Sequence, residues 1–213
     1  MTKTVKIGLL MLLWLFSHQA NSSLNQQDLE QFFQHKLNTI NHFMQENHNK
    51  ALQDPSLLMN FVDTELLTVW SARNTIRAML GAQRWSKLTP EQESELIAAY
   101  EQTMRRYLYE VMRQYQGQVA TVESIRLNSK QNKGWLTVVL DSPSLPNLSI
   151  DLKIYKEESN WTIYDFSFQG ISFVKMKQNY FQTTYDEKGL EGVLAELNSK
   201  NQEFNKKLQV ARK

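Results

Sequence analysis

Apolar residues recur at three- and four-residue spacing through the first half of this chain and at two-residue spacing through much of the second. Leu29, Phe32, Phe33, Leu37, Ile40, Phe43 and Met44 mark one face of an amphipathic helix over 26–49. Asp54 and Pro55 supply an N-cap and a first-turn proline, opening a helix with Leu58, Phe61 and Val62 on one side. A third helix is predicted over 69–80, with Val69, Ala72, Ile76 and Leu80 inward and Gly81 as its stop. Thr89-Pro90-Glu91-Gln92 is a capping box, and Leu96, Ile97, Tyr100, Met104, Tyr107, Leu108, Val111, Met112 and Tyr115 run down one side of the helix it starts, as far as Gly117.

Beyond Gly117 the period becomes two. Strands are predicted over 119–127, 135–141, 148–155 and 161–168; the third alternates Leu148, Ile150, Leu152 and Ile154 with polar neighbours. Short polar connections join them, so they form a four-stranded antiparallel meander; a parallel pair would need a crossover of a dozen residues or more. Helices over 174–185 and 189–199 follow, and the polar tail 200–213 is expected to fray. The class is α+β, with N-terminal and C-terminal helices packed on the sheet.

The first 22 residues obey neither period. Lys3 and Lys6 precede an apolar run from Ile7 to Phe16, and Ala20-Asn21-Ser22 follows. That is the layout of a secretory signal peptide with cleavage after Ser22, the h-region being too short to span a bilayer; a retained N-terminal anchor is the competing reading. Residues 23–199 then form one domain. The chain has 24 basic and 22 acidic side chains, and removing Lys3 and Lys6 with the leader leaves 22 of each. A formally neutral chain is a poor counterion displacer, which argues against nucleic-acid binding. The absence of cysteine removes disulfides and thiol chemistry, and an exported chain without them points to a bacterial periplasm.

Catalytic patterns are scarce. There is no G-x-S-x-G elbow, H-E-x-x-H pair or phosphate loop. Ser172-Phe173-Val174-Lys175 matches S-x-x-K, but its companion motifs are missing, and we read it as chance. His35 and His42 stand two helical turns apart, about 10.5 Å along the axis, too far to share an ion, and His48 lies beyond them. Asp165 reads as a carboxylate orienting a turn, the alternative being an acid without a partner. The chain is read as a non-enzyme using no cofactor.

Several stretches, in order, resemble the MlaC, or toluene-tolerance, family. They are Asp54-Pro55 with Phe61-Val62-Asp63 and Leu66-Leu67; Leu80-Gly81 with Trp85; Leu88-Thr89-Pro90-Glu91-Gln92; and Tyr107 through Tyr115-Gln116-Gly117-Gln118. Asn160-Trp161-Thr162-Ile163-Tyr164-Asp165 followed by Gln169-Gly170-Ile171-Ser172, and Lys188-Gly189-Leu190-Glu191-Gly192-Val193-Leu194, continue the pattern. Thr68-Val69-Trp70-Ser71-Ala72 departs from it, at what would be the mouth of a cavity. The resemblance implies a periplasmic phospholipid carrier whose helices and sheet enclose an apolar cavity. It implies exchange with an outer-membrane lipoprotein complex and an inner-membrane ABC transporter, and a monomer.

On that reading the cavity would be lined by Trp70, Leu80, Tyr100, Met104, Tyr107, Leu108 and Met112 from the helical half. From the strands it would take Trp135, Leu152, Ile154, Tyr164, Phe166 and Phe168. Such stripes also make ordinary core. No compact set of basic and hydroxyl residues is visible that would clasp a phosphate, so the headgroup is expected in solvent. Arg73, Arg77, Arg84, Arg105 and Arg106, with Lys87 and Arg113, make a locally basic side, either a solvated helix face or a docking patch for an acidic partner.

Overall fold

A computed structural model describes residues 17–143 and 146–210, with side chains over 26–143 and 146–209. The positive end and apolar run of the predicted leader lie outside the described residues. Six helices and five strands are described: α1 (Ser17–Gln53), α2 (Pro55–Phe61), α3 (Ala72–Leu80), α4 (Ala82–Trp85), α5 (Pro90–Met112), β1 (Val119–Leu127), β2 (Lys133–Asp141), β3 (Leu148–Glu157), β4 (Asn160–Phe168), β5 (Ile171–Ser172) and α6 (Phe173–Val210).

The local signals act as their chemistry requires. Asp54 accepts from the Ser56 amide at the start of α2. At α5, Thr89 Oγ1 accepts from the Gln92 amide at 3.3 Å while Gln92 Oε1 accepts from the Thr89 amide at 3.0 Å, closing the capping box. Between α2 and α3 the predicted helices give way to a π-turn (Val62–Leu66) and a 3₁₀ turn (Leu67–Val69). Trp70 is extended there because the edge of β4 captures it. The Ser71 amide donates to the Ile163 carbonyl at 2.8 Å, and Ser71 Oγ then accepts from the Asn74 amide to cap α3.

The sheet is antiparallel in the order β1-β2-β3-β4-β5. It has five strands, not the four expected. The added strand is two residues long, too short for a period of two to be read. It is formed by a tight turn in which Gln169 and Gly170 both take positive φ, bringing Ile171 opposite Phe168. Register places Ala120, Leu140 and Leu148 in one row, and Ile125, Leu136, Leu152 and Phe166 in another, all on one face. Leu29 and Phe33 of α1 cover the sheet's core there.

The exposed edge of β1 is closed by side-chain amides of α1. Asn41 donates to the Ala120 carbonyl at 2.8 Å and accepts from its amide at 2.9 Å; Gln34 accepts from the Val122 amide; Gln26 donates to the Ile125 carbonyl. Spaced seven or eight apart, these residues lie on one side of the helix and occupy groups that would otherwise template another strand.

Two further cores lie among the helices. Ile76, Met79, Leu80, Leu96, Tyr100, Met104, Phe181 and Val193 join α3, α5 and α6. Met44, Leu58, Val62 and Tyr109 join α1, α2 and α5. The two predicted C-terminal helices are one helical run broken at Gly189, whose φ of 66° is costly for any residue with a Cβ. The tail expected to fray is helical to Val210. Asn201 is buried against Thr103 and the Ala99 carbonyl, and the Phe204 ring meets Tyr109 at 5.4 Å; these contacts hold a polar sequence in place.

Candidate functional site

An apolar cavity of about 400 Å³ opens between α1, the end of α5 and the sheet. Ile40 and Met44 come from α1, Val111 and Met112 from α5, and Ala120, Leu140 and Leu148 from neighbouring strands in the register row just described. Asn41 and Ser142 also line it; the Asn41 amide is committed to the β1 edge, while Ser142 Oγ is buried without a partner among the described residues. Val111 stands 68% exposed at the rim, so the concavity reaches solvent. Its volume lies in the range of small-molecule sites. Gln114, Tyr115 and Gln118 also border it, but most of its exposed wall is apolar and suits hydrocarbon, which needs burial and no directional partner.

Of the residues expected to line a cavity, Met112 does so here. Leu80, Tyr100, Met104 and Ile154 are instead at most 2% exposed, in close-packed core. Leu108 and Leu152 are half-buried beside those cores. Trp70, Phe166, Phe173 and Tyr107 form a chain of ring contacts at 6.3, 4.9 and 5.7 Å that ties helices to sheet. Phe168, 38% exposed, sits where β4 turns into β5. Trp135 and Tyr164 do not border this cavity. Trp135 pairs in register with Arg126 and Lys153, placing it on the sheet face opposite Leu136 and Leu152. Tyr164 falls at a register shift in β4 and joins Trp135 and Lys153 around a polar cleft. Sequence reasoning missed Ile40, Met44, Ala120, Leu140 and Leu148 as lining; alternation marks them as inward, but nothing in it separates a filled interior from a hollow one.

The basic side is mostly neutralised within the molecule. Arg105 grips Asp63 and Arg84 grips Asp186, each through two nitrogens, and the latter pair holds the Asp186 carboxyl below its usual range. Arg73 bonds Glu93 at 2.9 Å, and Arg106 lies 4.5 Å above the Tyr107 ring with Glu110 at 3.8 Å. Arg77 has no ion pair among the described residues. It lines a second, polar cleft of about 440 Å³ with Asn74, Lys133, Tyr155, Tyr164 and Gln178.

Two suspected catalytic groups have structural duties. Asp165, fully buried, accepts from Ser172 Oγ at 2.6 Å and from the Val174 amide at 2.9 Å, and pairs with Lys153 at 2.8 Å. Ser172 Oγ also accepts from the Lys175 amide, so the S-x-x-K serine caps α6. The histidines are spread along α1: His42 pairs with Glu46, while His48 meets the Arg113 carbonyl and the Tyr115 ring. Among the described residues, no three His, Asp or Glu side chains gather where they could hold a metal, and no helix is long and apolar enough to cross a membrane.

Comparison with known proteins agrees with this architecture. The fold is similar to that of a phospholipid-binding protein from Ralstonia solanacearum, solved in complex with a phospholipid. The TM-score is 0.64 at 17% identity, over 84% of this chain and 98% of that one. The sequence model described as MlaC protein matches residues 34–199, so this chain belongs to the MlaC family.

Proposed function

We propose that this chain is a periplasmic phospholipid carrier that shelters acyl chain in the cavity between α1, α5 and the sheet. The observation that carries the reading is that apolar cavity, open past Val111. Membership of the MlaC family and the phospholipid held by a relative of the same fold support it. Each buried methylene is worth about 0.8 kcal/mol, so a sixteen-carbon chain represents on the order of 12 kcal/mol of exposure avoided during transit. Met44 and Met112 suit a wall that must accept chains of different shape, since their flexible thioethers refill irregular gaps.

In this reading the protein binds lipid stoichiometrically as a monomer and performs no covalent chemistry. It exchanges its load between an outer-membrane lipoprotein complex and an inner-membrane ABC transporter, which supplies the energy. The leader directs it to the periplasm and is removed there.

The test is organic extraction and mass spectrometry of protein purified from a periplasmic fraction. Diacyl phospholipid is expected at near one per protein. Leu148→Asp, which puts a charge on the cavity wall, should reduce it at least tenfold while the far-ultraviolet circular dichroism stays unchanged. Empty wild-type protein, or a bound polycyclic lipid in place of diacyl phospholipid, would overturn the proposal.

A further inference from the structure

The polar cleft at Arg77 lies away from the apolar cavity. Cavity residues Ala120, Leu140 and Leu148 share one end of the sheet; Lys133 and Tyr155 face each other at the other end, about 20 Å along the strands. They also occupy the opposite face, because Lys133 and Tyr155 alternate with Gly134 and Ile154 in the paired strands. A neighbouring cleft of about 530 Å³ shares Lys133 and Tyr164 and adds Arg126, Trp135 and Lys153.

Charge in this double cleft is one-sided. No carboxylate lines either part. Lys153 is neutralised by the buried Asp165, leaving Arg77, Lys133 and Arg126 with no acidic partner among the described residues. This contrasts with Arg73, Arg84, Arg105 and Arg106, each given a carboxylate by its own fold. Neutral polar side chains also line this space. Asn74 Nδ2 is buried without an acceptor among the described residues, and Tyr164 is a half-buried phenol whose pKa burial raises further above neutrality. Flat walls come from Tyr155, with Lys133 Nζ 5.4 Å over its ring, and from Trp135, with Lys153 Nζ 5.1 Å over its ring. Arg77 and Lys133 are exposed and hydrated, so their charges are free to be drawn to an oxyanion, which would gain charge-assisted hydrogen bonds from them.

We infer that this cleft binds a phosphate monoester or diester with a small organic substituent, its oxygens held by Arg77 and Lys133 and its substituent lying along Tyr155 and Trp135. Arginine supplies a planar fork for two oxygens and lysine a movable point charge, a combination suited to phosphate. The cleft is too large for phosphate alone, so the substituent completes the fit. The site stands independently of the carrier reading. Its ligand is either a lipid headgroup or a soluble phosphate ester, which share this chemistry.

Calorimetric titration of the mature protein with sn-glycerol 3-phosphate at low ionic strength tests the assignment. Saturable one-to-one binding is expected, tighter than for inorganic phosphate and weakening as salt rises. Arg77→Gln and Lys133→Gln should each weaken it about tenfold, consistent with loss of one charge-assisted contact. Lys175→Gln, on the exposed first turn of α6, should leave it unchanged. Both Arg77 and Lys133 are exposed, so these variants should melt like wild type, and either alone suffices as a test. A dispersed short-chain phosphatidylglycerol that displaces glycerol 3-phosphate, and loses affinity in the same variants, would support the site and assign it to a headgroup. Simultaneous binding of both would support the site and assign it to a soluble ester. Absence of saturable binding, affinity unchanged from wild type in both variants, or binding of poly-glutamate alone would overturn the inference.

Discussion

Asp165 shows how much one side chain can hold. Its carboxylate joins the Ser172 hydroxyl, the Val174 amide and the Lys153 ammonium with no exposure to water, fixing the turn from sheet to α6. Asp165→Ala would strand all three donors and leave Lys153 uncompensated. A loss of about 3 kcal/mol is expected, read as a lower urea midpoint at unchanged slope. Tyr100 is the converse case, buried with a hydroxyl that has no acceptor among the described residues. Burial pushes that phenol far above its ordinary value, so the folded state keeps it neutral while the unfolded chain ionises near pH 10. Its contribution is intact below about pH 10 and is lost as pH rises beyond that. Tyr100→Phe should therefore be neutral or stabilising by up to about 1 kcal/mol at pH 7, and its alkaline unfolding midpoint should move up. An unchanged alkaline midpoint would mean that burial does not hold this phenol neutral in the folded state.

At the scale of elements, the exposed edge of β1 depends on amides from a helix. Asn41→Leu keeps the volume but leaves the Ala120 amide and carbonyl unpaired. A cost of about 1–3 kcal/mol is expected, with faster hydrogen exchange at Ala120 and Val122 than elsewhere in the sheet. Uniform acceleration over all strands would instead mean that α1 does not specifically guard this edge. The amide spacing along α1 was visible in the sequence as a polar helix face, but its partner was not, because hydrogen-bond partners 79 residues apart leave no local trace.

For the whole molecule, ligand and fold should be linked. A lipid that binds the native state alone stabilises it by about 2.7 kcal/mol at a hundredfold excess over its dissociation constant. Solvent-stripped protein is therefore expected to melt several degrees lower, and returned phospholipid should restore the loss. Met112→Trp, which fills the cavity from a half-buried position on α5, should make melting insensitive to lipid while the stripped protein stays as stable as stripped wild type. A lipid response that survives this substitution would place the acyl chain elsewhere.

What the sequence determined alone was local and periodic. Caps at Asp54 and Thr89, the switch from a period of 3.6 to one of 2 after Gly117, and the inward rows of α5 and β3 follow from backbone geometry within a few residues. The resemblance in motif order likewise needed no coordinates, and the match to the MlaC family bears it out. Tertiary structure decided where space was left. Tyr100 and Met104 become solid core while Ile40 and Leu140 border a hollow, though both pairs read as apolar inward positions. It also put Trp135 on the polar face and brought Arg77 to Lys133 across 56 positions of chain. Hydrophobicity selects which side of an element avoids water, but volume and charge balance are sums over elements that meet only when the chain has closed.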